Sequence, residues 1–224
     1  MITSTSTTAH PALLQRLTPS LAIGSGILGI FSFACLIAYI TTPSFQMQAS
    51  GVVAPTGKLL LTTQFLSSMA QALLMIPVAV WLYRVRRRRS PGLGRTGMMM
   101  GILALGGVAL LRLVALVDPA VSDILFMIPM GLVGIWLAVV NWDDPQVLPR
   151  WMRILGGIAG ICLFGVGLNF FLNGGLIVFS KGPLAYGDDV NFHIGLGLSG
   201  LPGFTLFPVW CILLGLRFRR SLVE

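Results

Sequence analysis

The chain has 224 residues, of which 55% are hydrophobic and only 10% charged, with a formal net charge of +8. Soluble domains carry about 25% charged residues, so this composition excludes a globule covered by water. The positive charge does not imply nucleic acid, because Arg84, Arg86, Arg87, Arg88 and Arg89 sit in one run, YRVRRRRS. A topology signal or a contact with anionic lipid headgroups belongs there.

The chain opens on MITSTSTTAHPALLQRLTPS, a Ser/Thr-rich tail whose later part, 12–17, suits an interfacial position. The first apolar block, Leu21–Ile40, lies far from the start and is not followed by an Ala-x-Ala cleavage pattern. It therefore reads as a retained helix rather than a signal peptide. Five further blocks follow at Leu59–Tyr83, Thr96–Val117, Val121–Val140, Met152–Leu172 and Leu198–Leu216. Each reaches or approaches the roughly 20 residues a spanning helix needs. Unpaired backbone groups cost several kcal/mol in lipid, which favours helices. The short alternating segments of a β-barrel are absent. The expected fold is all-α: residues 1–224 form a single domain, a polytopic bundle of six transmembrane helices.

Orientation follows from the basic residues. With the amino terminus inside, the inner segments hold Arg16, Arg84, Arg86, Arg87, Arg88, Arg89, Arg95, Arg150, Arg153, Arg217, Arg219 and Arg220. Only Lys58 and Lys181 fall outside, and Arg112 lies within the third span. Lys and Arg favour cytoplasmic loops, so both termini are expected there, in a multi-pass protein of the plasma (inner) membrane. Trp81, Tyr83, Trp142 and Trp151 suit the inner interface, while Trp136 and Trp210 lie deeper, as packing residues do.

The outer connections are uneven. TTPSFQMQASGVVAPTGK joins spans one and two, DPA joins three and four, and NGGLIVFSKGPLAYGDDVNFHIGLG joins five and six. A connection as long as the last is often functional. Glycines recur inside the spans, and those at Gly156, Gly160 and Gly167 form a small-residue face. It suits either packing within the bundle or contact with a second membrane protein or copy. Pro77, Pro129, Pro202 and Pro208 fall inside spans, where each removes a hydrogen bond and favours a kink.

The polar residues within spans carry the functional question. In LLLTTQFLSSMAQALLMIP, Gln64, Ser67, Ser68 and Gln71 recur at three- and four-residue steps, which aligns them on one helix face. Arg112 lies about five residues from the outer end of the third span, at a depth comparable with Gln64. Asp118 and Asp123 flank the turn above it, and Asn169 and Asn173 stand near the outer end of the fifth span. Ionisable groups inside spans usually face the bundle interior or a cavity and mark a function. Arg112 can equally snorkel toward Asp118, Asp123 or phosphates and anchor the helix end. Asp188, Asp189, Asn191 and His193 form a second outer group. Asp and His can ligate a metal, but the acids are adjacent and no second histidine is near, so a polar loop or cap is the simpler expectation.

Several chemistries are disfavoured. No span holds a histidine for haem or a lysine for retinal, and no phosphate-binding Gly-rich loop, HExxH or GxSxG occurs. Cys35, Cys162 and Cys211 read as small apolar packing residues. No cofactor, metal or catalytic set is expected.

Two phrases carry a resemblance. DPQVLPRWMRILGGIAG, with Pro149, Arg150 and Trp151, enters the fifth span. LPGFTLFPVWCILLGLRFRR, with Phe207, Pro208, Val209, Trp210, Leu213, Leu214, Gly215 and Leu216, forms the last. This wording resembles the DUF4386 kind of bacterial six-helix membrane proteins. The resemblance implies a bacterial membrane location and no established catalytic residues.

The leading expectation is a small membrane protein acting by binding, as a regulatory or accessory subunit, without catalytic chemistry. The alternatives are a small-solute transporter or channel with an outer vestibule around Arg112 and, further, an enzyme acting on a lipidic substrate. Anionic lipids at the cytoplasmic arginines and a membrane-protein partner on the glycine faces are the expected contacts.

Overall fold

The computed structural model describes residues 9–42, 55–86, 91–142, 148–173 and 190–220. They form seven helices: α1 (Ala9–Thr41), α2 (Pro55–Arg86), α3 (Pro91–Val114), α4 (Pro119–Leu125), α5 (Met127–Trp142), α6 (Arg150–Leu172) and α7 (Val190–Arg220). Short α4 and α5 together make one span, so six segments are long and apolar enough to cross a membrane. The molecule is an all-α polytopic bundle. Its outside is apolar: Leu103 is 72% exposed and Ile161 67%. Such residues suit hydrocarbon and not water.

Proline places several helix starts. Pro55, Pro91 and Pro119 are each the first residue of a helix, where a missing N–H costs nothing and φ is already helical. At α4 the side chain of Asp118 also accepts a hydrogen bond from Val121 N at 3.1 Å, an N-cap that satisfies one orphan donor.

The structure corrects four expectations drawn from the apolar blocks. The segment 12–17 does not lie apart as an interfacial strip but continues α1, which is 33 residues long, roughly 50 Å at 1.5 Å per residue. The third span ends at Val114, and 115–118 make a turn. The fourth span is interrupted at Phe126. Pro129 cannot donate to Leu125, and its ring crowds that carbonyl. The ladder is kept on either side by Phe126 N to Ser122 O at 2.8 Å and Met130 N to Phe126 O at 3.2 Å. Pro129 is thus in the first turn of α5, not mid-helix. Finally, α7 begins at Val190, eight residues before Leu198, so part of the long fifth-to-sixth connection is helical. Asn191 and His193 are in the first turn of α7 and exposed.

The six spans form a ring in chain order. Each packs against its sequence neighbours, and α7 closes back onto α1. Glycines set the tightest contacts. A Cβ on Gly131 would meet Gly167 Cα at 2.8 Å, one on Gly134 would meet the backbone of Phe164 and Gly160, and one on Gly156 would meet Asn141. The face made by Gly156, Gly160 and Gly167 therefore lies against α5 of the same chain, where absent side chains let the backbones approach. Gly26 and Gly29 do the same for α1 against α7, facing Pro208 and Ile212.

Helices are about 10 Å across with side chains. Six in a closed ring therefore leave an axial space about one helix wide. At the arginine-bearing end that space is filled. Met75, Val78, Leu82, Trp136, Leu137, Met152, Trp210 and Leu214 are all nearly or fully buried there in one apolar cluster. Trp81 and Phe218 meet across the floor at 4.2 Å between ring centroids, their planes tilted by 59°. A polar knot braces this plug: Trp210 Nε1 donates to Asn141 Oδ1 at 3.1 Å, Asn141 Nδ2 to Leu137 O at 2.8 Å, and Arg153 Nε to Asn141 O at 2.9 Å.

Candidate functional site

Toward the opposite end the axis is not filled. A cavity of about 270 Å³ lies there, lined by residues of every span. Its polar wall is α2, which presents Gln64, Ser68 and Gln71, continued by Arg112 from α3 and Asp123 from α4. Its apolar wall is Met127, Met130, Val133, Val166, Phe204 and Phe207. Gln64 and Gln71 are seven residues apart, about 10 Å along the helix, so the polar strip reaches two turns below its outer end.

The local sequence explains why α2 turns this face inward. Ser32 Oγ donates to Gln64 O and Ser25 Oγ to Gln71 O, both at 3.1 Å. The two serines and the two glutamines share the same seven-residue spacing, so antiparallel α1 and α2 are pinned twice at the same register. Each pin uses the glutamine's main-chain carbonyl and leaves its side-chain amide for the cavity. Gly29 of α1 makes room for the Gln71 amide, because a Cβ there would collide with it. Neither Ser25 nor Ser32 stood out in the sequence. Their signal was the shared spacing with Gln64 and Gln71.

Arg112 is the buried charge, 5% exposed. Its Nη1 donates to Asp123 Oδ1, and the side chain of Asp123 is 52% exposed. Its guanidinium carbon sits 3.6 Å from the ring centroid of Phe126 and 5.3 Å from that of Phe65, geometry in which an aromatic face stabilises a cation. Nε is buried with no hydrogen-bond partner among the described residues. Beside this pair, Ser122 Oγ donates to Leu111 O at 2.6 Å, a second tie between α3 and α4. Arg112 thus anchors the hairpin and lines the cavity at once.

The structure divides the residues grouped by sequence. Gln64, Ser68, Gln71, Arg112 and Asp123 come together. Ser67 is buried but its hydroxyl bonds back to Thr63 O and Gln64 O within α2. Asp118 is an N-cap and not a partner of Arg112. Asn169 and Asn173 do not reach the cavity: Asn169 Nδ2 donates to Phe192 O at 3.0 Å, tying α6 to α7, and Asn173 Nδ2 donates to Asn169 Oδ1 at 2.6 Å at the end of α6. His193 packs edge-on to Phe192 at 5.6 Å between ring centroids. Asp188 and Asp189 lie outside the described residues, as do Arg87, Arg88 and Arg89. Arg84 is exposed near the end of α2, and Arg86 is its last residue. Among the described residues no group of three or more His, Cys, Asp or Glu is placed to hold a metal.

No family model, no curated protein and no solved structure matches the chain. The resemblance to the DUF4386 kind rests on its two phrases alone. In the structure these residues end or pack helices. Pro149 precedes α6, Trp151 is half exposed, and Phe207, Pro208, Trp210 and Leu214 are buried.

Proposed function

We propose that the protein is a small-solute transporter resting in a state open toward the Asp123 end. The observation that carries this reading is the axial cavity, lined from all six spans and closed on the arginine side by the Trp136–Trp210 plug. A packing protein has no use for a space that size at lipid depth: protein interiors are close-packed, and empty volume forfeits dispersion contacts. Amides and a buried ion pair on one wall with hydrocarbon on the other match the makeup of ligand pockets, which are mainly apolar with a few placed polar groups. The positive-inside distribution would make the open end external and set the arginines against anionic headgroups.

The accessory-subunit reading is the less well supported. It leaned on free glycine faces, and Gly156, Gly160 and Gly167 are occupied by α5. An enzyme acting on lipid would need an acid–base group at the cavity, and Asp123, held by Arg112, is the single carboxylate among its described lining residues.

Cysteine accessibility tests the reading. In a background free of native cysteine, Ser68→Cys in oriented proteoliposomes is expected to react with an impermeant thiol reagent from the Asp123 face. Val78→Cys, in the plug, is expected to react slowly from the arginine face if the plug opens in a transport cycle. A Val78→Cys that never reacts, beside a reactive Ser68→Cys, replaces a transporter with a static receptor. Inert cysteines at both positions remove the reading altogether.

A further inference from the structure

The cavity walls differ in how far they are covered. Every lining residue from α3, α5 and α6 is buried: Leu105, Val108, Arg112, Met130, Val133 and Val166 among them. The partly exposed lining residues cluster on α1 and α7. They are Phe33, Leu36 and Ile40 on one side and Leu196 and Phe204 on the other, and the remaining lining residues that are not buried are Leu61 and Gln71 of α2 and Asp123 of α4.

The contacts between these two helices show the same division. Gly26, Gly29 and Gly215 make the close approaches, and all lie at Pro208 or on its arginine side. Beyond Pro208, Gly197 has open space around it, Gly200 faces only its own helix and Gly203 faces Leu163 of α6. Only Leu21 and Ala22 of α1 belong to the main apolar cluster. Leu196 packs toward Met127, Val166 and Phe170, and Phe204 packs on both that group and the main cluster. The close glycine approaches between α1 and α7 therefore fall in one half of the seam only. The change falls at Pro208, where the helix lacks a hydrogen bond.

We infer that this seam is a lateral portal, and that the cavity binds the polar head of an uncharged, single-chain amphipath whose chain runs out between α1 and α7 into the bilayer. The proposal rests on the transport reading and names its substrate class. Three features set the chemistry. Arg112 and Asp123 neutralise each other, so an ionic head would bring unbalanced charge to a site that is costly for it. Gln64, Ser68 and Gln71 offer neutral donors and acceptors over about 10 Å on one wall, which suits a head with several hydroxyl or ester oxygens. Phe33, Leu36 and Phe204 flank the exit with apolar surface that continues into lipid.

The test is competitive binding to the full-length protein in nanodiscs, read by native mass spectrometry. The probes are monoolein, oleate and glycerol. Monoolein supplies an uncharged head with a chain, oleate the same chain with a charge, and glycerol a head alone. The expected result is retention of monoolein about tenfold over oleate, with glycerol unretained. Val133→Trp, which fills the cavity floor, and Leu36→Trp, which blocks the seam, are each expected to abolish retention while the thermal unfolding of the protein is unchanged. Equal retention of oleate overturns the neutral head. Retention of glycerol, or of monoolein by Leu36→Trp, overturns the portal. No retention of any probe overturns the site.

These outcomes are separate from the cysteine test of transport. Binding of monoolein needs no opening of the plug, so an inert Val78→Cys leaves this inference standing and removes only the transport cycle.

Discussion

Arg112 and Asp123 are an ion pair with unequal surroundings: the guanidinium is buried between Phe126 and Phe65, while half of the carboxylate faces outward. The two partners therefore depend on each other to different degrees. Asp123→Asn leaves a buried cation uncompensated and is expected to destabilise the protein by about 3 kcal/mol. Arg112→Met leaves a carboxylate that water can solvate and keeps an apolar stem between the rings. It is expected to cost only about 1 kcal/mol. Reversible unfolding in mixed micelles gives both values. An Arg112→Met loss equal to or larger than that of Asp123→Asn contradicts the described asymmetry.

The contact between α5 and α6 predicts a sharp contrast between two glycines of similar sequence context. A methyl group at Gly134 would meet the main chain of Phe164 and Gly160, which cannot move aside without parting the helices. Gly134→Ala is expected to cost about 1–3 kcal/mol through overpacking. Gly157 has nothing within 4 Å of its would-be Cβ, so Gly157→Ala should lie within about 0.5 kcal/mol of the parent. Comparable unfolding of the two variants would show that α5 and α6 are not in this register.

Asn141 has three roles in the arginine-side plug: it accepts from Trp210, donates to Leu137 and sits in the space left by Gly156. Asn141→Leu strands the indole N–H of a fully buried tryptophan, at about 1–3 kcal/mol. The local readout is an indole N–H resonance of Trp210 shifted toward a free position. An unmoved resonance would mean that the indole has another partner.

The paired serines of α1 give a test of additivity. Ser25→Ala and Ser32→Ala are each expected to cost about 0.6 kcal/mol, the average for interhelical hydrogen bonds in a membrane protein. They are two helical turns apart and share no partner, so the double variant should lose the sum. A double variant no worse than either single one would indicate that the second bond forms only when the first is present.

Span number and type were legible because lipid leaves a chain few options, and blocks such as Thr96–Val117 and Met152–Leu172 match the observed helices within a few residues. Ends were less legible. Val190–Gly197 is polar enough to read as loop, yet it is helical because Phe192 and Leu196 pack on Val166 and Phe170. Half of the candidate site was readable as well. The helical spacing of Gln64, Ser68 and Gln71 and the oddity of Arg112 placed them together. Asn169 was misplaced because depth alone says nothing of the direction in which a side chain leaves its helix. The cavity could not be read at all. It arises from six helices closing a ring whose axis is filled at one end only, and closure is a property of the α7–α1 contact, between segments remote in sequence.

That contact also bears on how the protein comes into being. All the other major helix contacts join consecutive spans and can form as each hairpin enters the bilayer. The α1–α7 seam waits for the last helix, and until then the ring is an open arc whose inner polar face, with Gln64 and Gln71, is bare to lipid. The cavity is therefore the final feature to be assembled during biogenesis. A nascent chain halted after α6 should expose that face to whatever insertion factor shields polar side chains in the membrane.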